Sequence, residues 1–230
     1  MKVFVLNGWA AGPQAWSLCH FRCDRIFSYV ETLDGITREA IATSTERVLL
    51  VGWSMGGSAA LEMALAFPEK IAGLVLLAAT ARMMEEKSTD WKGMSERRRQ
   101  ALKRGLLLTE GQGFGGITEG VSSPYLIGNE SDLDRGLDYL ARIDVRERLQ
   151  ESAAKGLFSF PVAIFQGERD CIVRPQNAAF LKEIFPWATV AMIPEADHPL
   201  PIEIPMQIDA AVETILQFAK ENQRLSGKAD

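Results

Sequence analysis

The segment Gly52-Trp53-Ser54-Met55-Gly56 fits the pattern G-x-S-x-G, and its surroundings are those the pattern needs to do chemistry. Before it comes Val48-Leu49-Leu50-Val51, apolar on both faces. After it, residues 58–67 are rich in Ala, Leu, Glu and Met and stop at Pro68. A serine lifted onto such a strand-to-helix turn occupies strained backbone angles, and neighbouring glycines, Gly57 included, let the flanking chain pass close by. Ser54 would then stand at a helix N-terminus, where free N–H groups and the helix dipole favour developing negative charge. The chemistry this suits is nucleophilic attack on an acyl carbon.

A serine hydroxyl is a poor nucleophile near neutral pH, so it needs a base, and the base needs a third group to orient it. Behind a G-x-S-x-G nucleophile the partners follow in the order acid, then histidine, on loops after later strands. The chain has 2 histidines, His20 and His198. His198, in Glu195-Ala196-Asp197-His198-Pro199, lies just beyond the last apolar run and is the only histidine after Ser54. His20 lies upstream and reads as a surface or structural histidine. Asp170 is the expected acid, because Gln166-Gly167-Glu168-Arg169-Asp170 follows an apolar run directly. Glu168, two residues earlier, is the second choice, and Asp197 adjoins His198 too closely to span readily to the imidazole. The oxyanion of acyl transfer needs two backbone N–H donors. Met55 should supply one and Trp9, in the loop Asn7-Gly8-Trp9-Ala10, the other. Trp9, Trp53 and Met55 are also the expected substrate contacts.

Composition narrows the alternatives. Two histidines exclude a three-histidine metal site. Cys19, Cys23 and Cys171 are an odd number without C-x-x-C spacing, which argues against a metal site there and for a reducing compartment. No metal or organic cofactor is expected. A net charge of -5 gives no overall field for nucleic acid or an anionic membrane, so neither is an expected partner. The N-terminal residues lack a signal-peptide core and no stretch approaches a membrane span, so the expected location is cytoplasmic.

The elements that must position these residues are read from the apolar runs. Residues 3–6, 25–30, 47–51, 73–79, 161–166 and 188–193 read as strands, and 58–67, 176–184 and 205–220 as helices. Continuous apolar strands alternating with helices predict a mostly parallel sheet covered on both faces. From about 82 to 159 the alternation breaks into amphipathic pieces, 95–108 and 133–150. They flank Gly111-Gln112-Gly113-Phe114-Gly115-Gly116, which reads as a hinge or turn, since it lacks a phosphate-loop pattern. The expected organisation is a core of residues 1–81 and 160–230 with a helical cap insertion at 82–159. The tail from 221 to 230 is expected to fray.

On these residues the chain resembles the α/β-hydrolase superfamily, and more narrowly the esterases of biotin synthesis that hydrolyse pimeloyl-acyl-carrier-protein methyl ester. The narrower resemblance rests on Asn7-Gly8-Trp9, on Gly52 to Gly57, and on Phe67-Pro68-Glu69-Lys70-Ile71 leading into Leu74-Val75-Leu76-Leu77-Ala78. It also rests on the cap segments Gly136-Leu137-Asp138-Tyr139-Leu140 and Asp144-Val145-Arg146-Glu147-Arg148-Leu149, with Gly167 to Asp170 and His198-Pro199 as the acid and base loops. Two departures stand out. Asn7 replaces the family's usual histidine, and residues 21–47 are too few to hold its D-x-P-G-x-G-x-S loop.

The resemblance implies a serine carboxylesterase acting on a small-molecule or carrier-linked acyl ester, with an acyl carrier protein bound by a basic cap. Arg97-Arg98-Arg99 with Lys103 and Arg104 fall on one expected cap helix, and Arg98, Arg99 and Arg104 are the expected partner contacts. Trp53, Leu106, Leu107 and Leu108 would line an acyl channel. Three other readings stay open: a carboxylesterase for another small ester, a lyase like the menaquinone-pathway relatives, and a ligand-binding protein without turnover.

Overall fold

The computed structural model describes residues 1–89, 91–108 and 129–226. The glycine-rich run 111–116 lies outside them.

The chain opens with β1 (Lys2–Leu6), whose apolar residues are almost wholly buried, followed by β2 (Arg25–Phe27). The strand expected over 25–30 is cut short at Phe27. Ser28 caps α1 (Tyr29–Leu33) in a capping box with Glu31, satisfying two helix-end donors and turning the chain out of the sheet. A short helix that the apolar pattern does not announce, α2 (Ile36–Ala42), comes next. Then β3 (Val48–Trp53), buried at every position, leads into α3 (Met55–Ala66), and β4 (Ile71–Leu77) is again buried throughout.

Between β4 and the next strand the chain forms α4 (Glu96–Leu108), α5 (Glu130–Arg142) and α6 (Arg146–Ala154). The single helix expected over 133–150 is thus two. It breaks because Ile143 and Val145 are buried and the Val145 N–H donates to the Ala81 carbonyl at 2.9 Å, pinning the chain to the end of β4. On α5, Leu133, Gly136, Leu137 and Leu140 repeat at helical spacing and form its buried face. The core resumes with β5 (Val162–Gly167), α7 (Gln176–Ile184), β6 (Thr189–Ile193), the single turn α8 (Leu200–Glu203) and α9 (Pro205–Ser226). That last helix continues past residue 220, where the sequence pattern ends it.

The six strands form one parallel sheet in the order β2-β1-β3-β4-β5-β6, the α/β-hydrolase arrangement of a mostly parallel sheet with helices around it. The chain moves outward from β1 to β2 and then crosses to β3 on the other side of β1. Open parallel sheets bind ligands at such a reversal, beyond the carboxyl ends of the strands. Leu6 pairs with Gly52 in register, so the loop after β1 and the turn after β3 emerge side by side there. Among the described residues, no helix is long and apolar enough to cross a membrane.

Candidate active site

Ser54 sits where β3 becomes α3, at φ 56° and ψ -119°, a backbone conformation an L-residue adopts only when its surroundings enforce it. Its N–H donates to the Leu77 carbonyl of β4 at 2.9 Å and its carbonyl accepts from Ser58 N–H at 3.0 Å, which fixes the turn from both sides. The turn has no room for side chains. A Cβ on Gly56 would stand 2.0 Å from the Leu6 carbonyl oxygen, and one on Gly52 would stand 2.6 Å from that of Gly56. Both contacts are far inside van der Waals distance, so glycine is required at each.

Asp170 and His198 emerge from the ends of β5 and β6 at the same edge of the sheet and meet Ser54. His198 Nδ1 is 2.8 Å from Asp170 Oδ2, and its Nε2 is 2.9 Å from Ser54 Oγ. Asp170 and His198 are buried, 3% and 4% exposed, so the hydrogen bonds between them form out of competition with water. The other Asp170 oxygen, Oδ1, accepts from the N–H groups of Ile172 and Val173 at 2.8 and 2.9 Å. A carboxylate held this way accepts from Nδ1–H and leaves Nε2 free to accept from the serine hydroxyl. Glu168 is exposed on the same loop and Asp197 Oδ1 accepts from the His198 backbone N–H, so neither takes the place of Asp170. His20 is exposed.

Two supporting roles escape sequence reasoning, that of Gln166 and, beyond its expected place at the substrate, that of Trp53. Gln166, a buried amide at the end of β5, donates to Asp170 Oδ2 at 3.3 Å and to the Val173 carbonyl at 3.0 Å, stiffening the acid loop. A polar residue closing an apolar run is its only signal. Trp53 donates from Nε1 to the His198 carbonyl at 2.9 Å, and its ring lies 5.9 Å from the imidazole. Near His198, burial first, then the charges of Asp197 and Asp170, hold the Glu203 carboxyl above the usual range.

Of the expected oxyanion donors, Met55 follows Ser54 directly and Trp9 lines the same cavity as Ser54. Met55 is the first residue of α3, where a helical N–H has no partner within the helix. Its side chain is fully buried and is not among the residues that line the cavity. Trp9 is held by α5: its Nε1 donates to the Leu133 carbonyl at 2.9 Å, and a Cβ on Gly136 would come within 2.4 Å of its ring. Helix α5 therefore closes directly on Trp9, in the loop after β1. Asn7, in the place of the family's histidine, is buried and accepts from Trp16 Nε1 at 2.7 Å.

An apolar cavity adjoins Ser54 and His198, bounded by Gly8, Trp9 and Trp53 from the core and by Met83, Met94, Leu102, Leu140 and Ile172. It leaves about 20 Å³, room for little more than a water molecule. Leu106, Leu107 and Leu108 do not line it. Leu106 packs inward and the other two are exposed, so Leu102, one turn earlier on α4, presents the face that reaches the site. The basic patch also changes. Arg99 pairs with Glu96 at 2.8 Å and with Asp138 at 3.6 Å, and Lys103 with Glu130 and Asp134 at 2.9 and 2.7 Å. The acidic stripe Glu130, Asp134 and Asp138 repeats every four residues along α5 and draws these cations onto that helix. Among the described residues, Arg98 and Arg104 form no ion pair. Among the same residues, no group of three or more His, Cys, Asp or Glu converges as a metal site would.

A family model described as serine aminopeptidase, S33, matches residues 19–205. The pimeloyl-[acyl-carrier protein] methyl ester esterase of Nitrosospira multiformis is 26% identical over 75% of this chain and 68% of its own length. That of Pectobacterium carotovorum subsp. carotovorum is 25% identical over 94% of this chain and 93% of its own. An esterase from Exiguobacterium antarcticum superposes with a TM-score of 0.72 at 16% identity, covering 96% of this chain and 92% of that one. With the parallel sheet and the tight turn at Ser54 in place, the match over residues 19–205 makes this chain a member of the serine aminopeptidase S33 family of the α/β-hydrolase superfamily.

Proposed function

We propose that this protein is a serine carboxylesterase with Ser54 as nucleophile, His198 as general base and acid, and Asp170 as the group that orients and stabilises the imidazole. The observation that carries this is the unbroken chain from Ser54 Oγ to His198 at 2.9 Å and from His198 to Asp170 at 2.8 Å, beside an apolar cavity. His198 Nε2 takes the Ser54 proton as Oγ attacks the ester carbonyl. The N–H groups of Trp9 and Met55 hold the resulting oxyanion, each such donor being worth about 3 kcal/mol of transition-state stabilisation. The imidazolium returns the proton to the leaving alcohol, and a water deprotonated by the same imidazole hydrolyses the acyl-enzyme. Residues 82–159 act as the cap over this centre.

For the substrate, the names of the relatives support the methyl ester of pimeloyl-acyl-carrier protein, with methanol leaving and Arg98 and Arg104 meeting the acidic carrier. The narrowness of the cavity favours a second reading, another small ester. Methanol release from the carrier-linked methyl ester, together with rescue of a biotin-requiring bacterial strain, supports the first. Turnover of small esters without either result leaves the second. The location consistent with either is the cytoplasm.

A further inference from the structure

Met83 and Met94 line the cavity beside Ser54 and His198 and are almost fully buried. Both belong to a stretch of chain that doubles back, with limbs 83–89 and 91–94. Met94 N–H donates to the Met83 carbonyl at 2.7 Å, and Glu86 and Trp91 exchange backbone hydrogen bonds of 3.2 and 3.1 Å. The limbs lie so close at Gly93 that a Cβ there would stand 2.4 Å from the Met84 carbonyl carbon.

The outer side of this loop is fixed by charge. Arg146, the first residue of α6, reaches Glu86 on one limb at 2.9 Å, and its guanidinium lies 4.9 Å from the centre of the Trp91 ring on the other. Asp144 holds the same guanidinium at 2.8 Å. Arg82 Nε donates to the Met84 carbonyl and Trp91 Nε1 to the Arg82 carbonyl, each at 3.0 Å. One guanidinium thus ties both limbs to the start of α6. Methionine is unbranched and pliable, so where its side chain stands depends on how firmly the backbone beneath it is held.

We propose that Arg146 is a positioning residue that limits the acyl group the site admits: by pinning the loop, it keeps Met83 and Met94 closed over the cavity and selects short, uncharged acyl chains. This rests on the reading of Ser54 as the acylated nucleophile and on the second substrate reading, another small ester, because a pimeloyl chain is nearly as long as an octanoyl one.

The test compares p-nitrophenyl acetate with p-nitrophenyl octanoate, and measures phosphorylation of Ser54 by diethyl p-nitrophenyl phosphate. The wild-type protein prefers the acetate. In Arg146→Met the acetate-to-octanoate ratio of kcat/KM falls about tenfold, chiefly through a lower KM for the octanoate, a size expected of a pocket wall that yields by a few methylenes. Ser54 phosphorylation stays within about twofold, because the triad is untouched. Arg146→Lys, which keeps the charge without the planar fork, restores part of the ratio. Should Arg146→Met not fold, Glu86→Gln weakens the ties of that carboxylate to Arg146 and Arg82, leaves Arg146 on Asp144 and Trp91, and moves the ratio in the same direction. A wild-type protein that takes the octanoate as well as the acetate, or an unchanged ratio in both variants with Ser54 still phosphorylated, overturns the proposal. Absence of any Ser54 phosphorylation in the wild-type protein overturns instead the reading of Ser54 on which it stands.

Discussion

Trp53 Nε1 donates to the backbone carbonyl of His198 at 2.9 Å, so the residue that precedes Ser54 also holds the loop that carries His198. The tryptophan is 1% exposed, and the carbonyl has no water to turn to if the donor is lost. Trp53→Phe keeps an aromatic ring and removes the donor. It should lower kcat about tenfold, as expected when a base is displaced by a fraction of an ångström, and cost about 1–3 kcal/mol in denaturant unfolding. An unchanged kcat would mean that the His198 loop holds itself.

Gly136 on α5 touches Trp9 in the loop after β1. Its replacement by alanine puts a Cβ 2.4 Å from the Trp9 ring and forces α5 or Trp9 to move. Gly136→Ala should reduce kcat by about tenfold or more on small esters, where no carrier is involved. A variant with full kcat would show that Trp9 absorbs the shift without moving its N–H.

Asp170→Asn leaves the packing in place and removes the charge that holds Nδ1–H of His198. The wrong tautomer then faces Ser54, and kcat should fall by about 10³ to 10⁴ with the fold intact by circular dichroism. Glu168→Gln, on an exposed side chain of the same loop, should change kcat by less than about twofold.

Asp144 gives a pH test of the clamp around Arg146. The hydrogen bond from Arg146 foremost, with that from Arg82 and against the effect of burial, lowers its carboxyl from 3.8 to about 2. Its folded value lies below its unfolded one, so its contribution to stability is fully present above about pH 4 and is lost as the pH falls toward about 2. Denaturant unfolding should therefore show a stability gap between wild type and Asp144→Asn that is constant from about pH 7 to about pH 4 and closes below it. A gap that widens in acid would contradict this assignment.

The cap surface divides the basic side chains by what they already hold. Because Arg99 is paired with Glu96 and Asp138, neutralising it should disturb the cap on every substrate. Neutralising Arg98 and Arg104 should raise KM for a carrier-linked ester and leave a p-nitrophenyl ester unaffected. Equal loss on both substrates would reject a carrier site on α4.

Much of the arrangement around Ser54 is legible in the sequence because it depends on chain order. Apolar runs end at Leu6, Val51, Gln166 and Ile193, and a parallel sheet brings all those ends to one edge, so Trp9, Ser54, Asp170 and His198 converge without any knowledge of contacts. What sequence reasoning misses depends on contacts distant along the chain. The break between α5 and α6 comes from a hydrogen bond back to Ala81, and the loss of Arg99 from the basic patch comes from charges on a separate helix. The choice of Leu102 over Leu106 to Leu108 follows from how α4 is rolled against the core, which local pattern does not encode. The early turn at Ser28 was written locally, in Ser28 and Glu31, but an apolar run through Val30 outweighs it on the page.

The central claim is that Ser54 becomes covalently acylated, and a fluorophosphonate probe followed by mass spectrometry of the labelled peptide tests it most directly. The account predicts one adduct, on Ser54, absent from Ser54→Ala and strongly slowed in His198→Ala, with ester hydrolysis lost alongside it. An unlabelled wild-type protein, or a folded Ser54→Ala variant that still hydrolyses esters, would contradict it.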